Sequence, residues 1–295
     1  MKHLTAVSLI LILAVFNFAC KQSGEQKTEE SSEVTVDGVA AEGTVIEELT
    51  ALQPEYVPVR EVAMFLMRTG VPYNTAVTNS PDNVEDYKDK PVAAAANIGI
   101  YTTDALYHYS YGDMDAANAS YRSAYQLAKS LDVGGTYTTI HTRQFSNDPA
   151  IRDSIFIEID KALLLSAKRF NETEREVLNY AILVGGFTQR MYITTFIYND
   201  LNESTDIEII RATINSILRK KEVVKKLIAL GNKVLPTNDG PFLQILGELN
   251  SIYSEIALDE NSVSTLEAKE LLSNQRISEL SVVAKELHDF IIATE

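Results

Sequence analysis

VAAAANIGIYTTDALYHYSYG (92–112) runs straight into DMDAANASYRSAYQLAKSLDV (113–133), and this stretch decides the fold. Pro91 presets a first helical turn, and residues 92–111 are apolar nearly all round, the pattern of a helix buried among other helices. Asp113 is a capping residue for a second helix. In that helix Ala117, Tyr121, Ala124, Ala128 and Leu131 recur at helical spacing, one inward stripe of small residues with a single aromatic. Gly134-Gly135 is the expected stop. The stretch therefore predicts two antiparallel helices folded about Gly112 and Asp113.

Within residues 92–111 only Asp104 and His108 can carry charge near neutral pH, and they lie one helical turn apart. Asn97 and Tyr101 extend them into a polar stripe along a buried helix. Buried polar groups need partners and a buried charge needs an opposite one. Two readings follow. Either Asn97, Tyr101, Asp104 and His108 form an internal network, with Asp104 matched by His108 or by an arginine elsewhere, or they line a groove that holds a small ligand or a cation.

Toward the C-terminus the helical pattern repeats. Asp148-Pro149 signals a helix start, followed by Ile151, Ile155, Ile159 and Leu163. Asn171 and Glu174 resemble a capping box, opening a helix with Val177, Tyr180, Val184, Phe187 and Met191 inward. Gly185-Gly186 inside that helix costs about 1 kcal/mol per glycine relative to Ala, and close approach of the Ala-rich helix after Pro91 is the expected compensation. Ser204 or Thr205 is read as the next cap, with Ile207, Ile210, Ile214 and Ile217 inward. A break is expected near Arg219-Lys220-Lys221, which with Lys225 and Lys226 form a basic cluster read as a solvated face. After a loop over 236–240, Phe242, Leu246, Leu249, Tyr253 and Ile256 mark one helix, and Ile277, Leu280, Ala284, Leu287 and Ile291 another. The fold class is all-α: stacked antiparallel helices, seven to nine in number, in a bundle or short solenoid.

Toward the N-terminus, residues 59–69 predict a helix ending at Gly70, and the turn-rich segment 71–90 reads as an ordered loop anchored by Tyr73 and Tyr87. A short helix is expected over 45–53. Residues 21–44 hold almost nothing large and apolar and are expected to be a disordered acidic tether. Its r.m.s. span would be about 27 Å and its extended reach about 80 Å. Met1-Lys2-His3 and the apolar run 4–18 have the form of a signal peptide, too short to span a membrane comfortably. The run ends in Asn17-Phe18-Ala19-Cys20, and Cys20 is the only cysteine. A small residue followed by Cys resembles the bacterial lipobox, although Asn17 stands where Leu is usual and Phe18 is large. That resemblance implies lipidation of Cys20 and cleavage before it. The expected organisation is a signal peptide (1–19), a lipidated tether (20–44) and one helical domain (45–295).

Composition narrows the function. The chain of 295 residues has 45% hydrophobic residues, enough for a large core, and a formal net charge of −15. Such a field repels phosphate backbones, so nucleic acid is not an expected partner. One cysteine excludes an internal disulfide framework and a cysteine-based zinc site. No HExxH, GxSxG, GxGxxG or Walker loop is present. Asp113-Met114-Asp115 resembles a fragment of a calcium loop, lacks the rest of it, and is read as capping. No cofactor or metal is expected.

Two resemblances add to this reading. Gly112-Asp113, Ala117, Tyr121 and Ala124 resemble the second half of a tetratricopeptide repeat, in a single copy. NIGIYTTDALY (97–107) and AILVGGFTQRMYITT (181–195) resemble a group of uncharacterised predicted lipoproteins of Bacteroidetes, over about residues 55–200. Asn97, Gly99, Tyr101, Asp104, Tyr107, Gly185 and Gly186 fall on that pattern, whereas Thr102-Thr103 and His108 do not. The resemblance implies an outer-membrane lipoprotein of the cell envelope and supplies no activity. The sequence thus points first to a lipid-anchored helical binding or scaffold protein, attached to the membrane through its anchor, with a protein or small-molecule partner. A ligand or cation pocket around Asp104 is the alternative, and an enzyme without a recognisable motif the more distant one.

Overall fold

Helix-forming patterns dominate the chain, and the computed structural model follows them. It describes residues 65–66, 69–146, 148–235 and 240–293, with 149–153 described by their main chain alone. Among these residues 81% are helical and none is in a strand. Eight helices of twelve residues or more are present among them. The all-α expectation therefore holds. The signal, Cys20, the tether and the helix expected over 45–53 lie outside the described residues. All described residues belong to one compact unit.

The short helix α1 (Val84–Tyr87) precedes α2 (Pro91–Ser110), which opens on Pro91. α2 closes at Gly112 with φ +80°. There Asp113 N–H donates to His108 O at 3.1 Å and Gly112 N–H to Tyr109 O at 3.0 Å, so two orphan carbonyls of the last turn are satisfied. Asp113 then caps α3 (Met114–Ser130) by accepting from Ala116 N–H at 3.0 Å. The hairpin expected about Gly112 and Asp113 is present. Gly134 is not its stop: Asp132, at φ 62°, takes the left-handed position, and Val133 N–H reaches Ala128 O at 2.9 Å. Asp is among the few residues whose short polar side chain tolerates this conformation.

After α4 (Thr138–Arg143), the long helices α5 (Pro149–Glu172) and α6 (Glu176–Asp200) form a second hairpin. The expected capping box at Asn171 and Glu174 is not there. Asn171 still belongs to α5, and Glu174, at φ 54°, is the left-handed residue of the turn, with Arg175 N–H on Phe170 O at 2.8 Å. The spacing fitted a helix start, but the apolar stripe of α5 carries two turns past Leu163, through Ala167 to Phe170, which is fully buried.

α7 (Ile207–Leu218) is capped by Asp206, one residue past the expected Thr205, through Glu208 N–H at 2.8 Å. The chain breaks at Arg219 into α8 (Lys220–Val234), as the misplaced Lys221 implied. Then come α9 (Pro241–Glu255), the short α10 (Glu260–Thr265) and α11 (Ala268–Leu272), and α12 (Gln275–Ile292).

α2 packs along α6 on one side and α3 on another, and α12 lies against α6 and α9. The α2–α6 crossing is close because side chains are missing there. A Cβ on Gly185 would sit 1.9 Å from Ala96 O, and one on Gly99 would sit 2.3 Å from Ile182 O. Gly186 is the looser of the glycine pair: its Cβ would meet Gly99 O at 3.7 Å, an ordinary contact. The expected approach to the Ala-rich helix thus rests on Gly99 and Gly185.

Candidate functional site

The polar stripe of α2 is covered by residues 71–90, a strap built from turns. Asn74 accepts from Ala76 N–H at 2.9 Å, Ser80 accepts from Asp82 N–H at 3.3 Å, and Pro81 starts a short 3-10 turn. Such side-chain-to-backbone bonds hold a segment that has no periodic ladder of its own. Apolar bodies seat it: Val77, Val84 and Tyr87 are buried.

The helix side chains beneath grip the strap's main chain. Tyr111 Oη donates to Val71 O (2.8 Å), and Tyr107 Oη both accepts from Asn74 N–H (3.0 Å) and donates to Asn74 O (3.1 Å). Gln189, reaching over from α6, donates Nε2–H to Val77 O at 2.7 Å, and Tyr101 Oη donates to Ser80 O at 2.7 Å. Asn97 accepts from Asn79 Nδ2–H at 2.9 Å and donates to Ala93 O and Ile291 O. Tyr87 Oη accepts from Asn79 Nδ2–H and donates to Ile292 O at 2.8 Å.

Asp104 is completely buried at the centre of this row. Its Oδ2 accepts from Asn79 N–H at 3.0 Å and its Oδ1 from Gln189 Nε2–H. Burial pushes its carboxyl well above the usual carboxylate range, and these two N–H donors only partly oppose the shift. Among the described residues, no cation stands at Asp104 in the place expected for one. His108 turns away: its Nδ1 lies 2.6 Å from Tyr73 Oη, which donates to Asp113 Oδ2 at 2.9 Å. Strap and α6 instead present amides at Asp104, and amide donors can satisfy a carboxyl group without neutralising it. Burial lowers the His108 imidazole, with Asp113 opposing. Asp113 is held below the usual range by Ala116 N–H and then by Tyr73.

The structure therefore joins Asn97, Tyr101 and Asp104 through the strap, and places His108 in a separate chain with Tyr73 and Asp113. Sequence reading missed Asn79, Gln189 and Tyr73. Asn79 carried a signal, as the first residue of an Asn-Ser-Pro turn; Gln189 carried a weaker one, an amide set between Thr188 and Arg190 in a long and mostly apolar helix.

Elsewhere, an open cleft of about 600 Å³ lies between α6 and α12, lined among others by Tyr192, Phe196, Asn199, Val282 and Lys285. His288 stacks on Tyr192 with ring centroids 4.2 Å apart. Burial pulls its imidazole down to about 4, against the pull of Asp289, and its Nε2 has no hydrogen-bond partner. The basic cluster is engaged within the protein: Arg219 pairs with Glu260 at 3.2 Å, Lys225 with Glu222 at 2.7 Å, and Lys220 donates to Ser216 O at 2.8 Å. Among the described residues no His, Cys, Asp and Glu side chains gather into a set for a metal ion, and no described helix is long and apolar enough to cross a membrane.

No family model, curated protein or solved structure matches this chain.

Proposed function

We propose that this protein is a lipid-anchored binding or scaffold protein of a bacterial cell envelope, held to the outer membrane through Cys20. The attachment rests on the basic head, the apolar run 4–18 and the single cysteine directly after Ala19. Acyl chains on that sulfur contribute about 0.8 kcal/mol per buried methylene, so a multiply acylated Cys20 anchors the chain firmly. The observation that carries the binding or scaffold reading is the use of the polar stripe. Asn97, Tyr101, Asp104 and His108 each bond to another part of the same chain, and all four reach the strap: Asn97 and Asp104 at Asn79, Tyr101 at Ser80 and His108 at Tyr73. Their chemistry serves to hold helices and strap together, and the outer helix faces are left for partners.

Cell fractionation with labelled fatty acid tests the reading. Wild-type protein is expected to carry label and to sediment with membranes, whereas Cys20→Ser is expected to take up no label and either to stay unprocessed or to appear in the soluble fraction. A wild-type protein that is secreted normally without label refutes it.

A further inference from the structure

The strap closes over a carboxyl group whose surroundings hold more acceptors than donors. Gln189 Nε2–H donates to Val77 O and to Asp104 Oδ1, and Asn79 N–H donates to Asp104 Oδ2. Gln189 Oε1, buried beside them, receives nothing. The burial, the Asn79 N–H and the Gln189 amide act on the Asp104 carboxyl, and none of these is a cation. A buried carboxylate without an opposite charge is costly, whereas a neutral carboxylic acid is not, and its hydroxyl adds a donor where one is lacking. The strap is also a mechanical unit. It starts at Gly70, at φ +59°, and ends two residues after the Lys88 turn, where Pro91 begins α2. Its grip on the helices is a row of hydrogen bonds with Asp104 in the middle, beside the buried bodies of Val77, Val84 and Tyr87.

We infer that Asp104 holds the strap shut as a neutral carboxylic acid, and that losing this proton lets residues 71–90 lift from α2 as a unit. In the lifted state water reaches the carboxylate, and Tyr101, Tyr107, Tyr111 and Gln189 face solvent with the hydrogen-bonding groups that had gripped the strap's main chain. The sign follows from linkage: a group that keeps its proton longer when closed favours closure at low pH, and that contribution is lost as pH rises through its closed-state value. The other titratable and charged groups among the described residues here are Tyr101, Tyr107, His108 and Tyr111 in or just after α2, Asp113 at the start of α3, and Tyr73, Asp82, Glu85, Asp86, Tyr87, Lys88, Asp89 and Lys90 on the strap. His108, lowered by burial, acts with the opposite sign, favouring opening as pH falls below about 6.5.

Hydrogen exchange read by mass spectrometry on the full chain, from about pH 5 to about pH 9 and corrected for intrinsic rates, tests the inference. Above about pH 6.5, where His108 no longer opposes it, the opening constant of the strap amides is expected to rise by about tenfold per pH unit until the closed-state value of Asp104 is passed, while amides inside α6 stay protected. In Asp104→Asn the rise should vanish and leave only the opposite trend from His108. Equal opening constants for strap and α6 at every pH would overturn the inference, as would a rise that persists in Asp104→Asn. Should that variant lack the wild-type circular dichroism spectrum, carbon NMR of the Asp104 carboxyl in the wild type decides. A carboxyl protonated at the low end of the series and ionising as the strap opens supports the device; one ionised throughout sinks it.

Discussion

α2 and α6 are built on a different principle from α7, α8, α9 and α12. Residues 94–109 of α2 and 178–191 of α6 are buried without a break. The later helices bury one stripe each, such as Ile210, Ile214 and Ile217 in α7 or Leu246, Leu249 and Tyr253 in α9. Where a helix has a wet side, large apolar residues at helical spacing set its position. Where it has none, its position is set by what is left out, at Gly99 and Gly185, and by polar side chains that must find one another across the chain. The first kind of packing tolerates adjustment. The second is close to a lock, because main chain meets main chain.

The sharpest way to break this contrast is to add one carbon at the crossing. Gly185→Ala puts a Cβ against Ala96 main chain, and the helices have to part. A loss of about 3 kcal/mol is expected, the upper end of overpacking, read as a lower denaturant midpoint. A midpoint within error of wild type would show that α2 and α6 slide apart freely.

A comparable effect comes from acid at the α6–α12 contact. The His288 imidazole, ordinarily near 6.5, is held down to about 4 in the folded protein. Its contribution is therefore present above about pH 6.5 and lost as pH falls toward 4, about 3 kcal/mol over the whole window. Denaturation of wild type and His288→Gln at about pH 7 and about pH 4 should show a smaller acid loss in the variant. Equal losses would assign the acid sensitivity elsewhere. Asp104 runs the other way, so the two buried groups bias the molecule in opposite directions as pH changes.

The smallest effect sharpens the contrast from the other side. Gly247 lies on the exposed face of α9, and a Cβ there would meet nothing within 4 Å. Gly247→Ala should raise stability by about 0.5–1 kcal/mol, since it removes chain freedom from the unfolded state and adds no clash. A lower melting temperature would mean that this face is covered.

The same contrast explains what could be read in advance. One-sided helices announce themselves: Ile277, Leu280, Ala284, Leu287 and Ile291 were all expected inward in α12, and all are buried. Pro91, Asp113 and the break at Arg219 were legible for local reasons. The turn at Asn171–Glu174 was misread because a left-handed Glu leaves no mark in composition. At the candidate site the stripe was visible and its partners were not. Asn79 comes from 25 residues before Asp104 and Gln189 from 85 residues after it. A period within one helix carries no information about which distant amide will face it, so a cation was the reasonable expectation and two N–H groups were the answer.

The bonds at the end of α12 set an order of events during synthesis. Ile291 O and Ile292 O are last-turn carbonyls without partners inside their own helix, and Asn97 and Tyr87 supply the donors from 194 and 205 residues away. A chain emerging from the ribosome makes the strap and α2 early, then holds them without these acceptors until residues 291 and 292 appear. Contacts of such separation form late and slowly. The strap is therefore among the first parts of the described chain to be made and among the last to be fully fastened, because Asn97 and Tyr87 wait for acceptors from the last turn of α12.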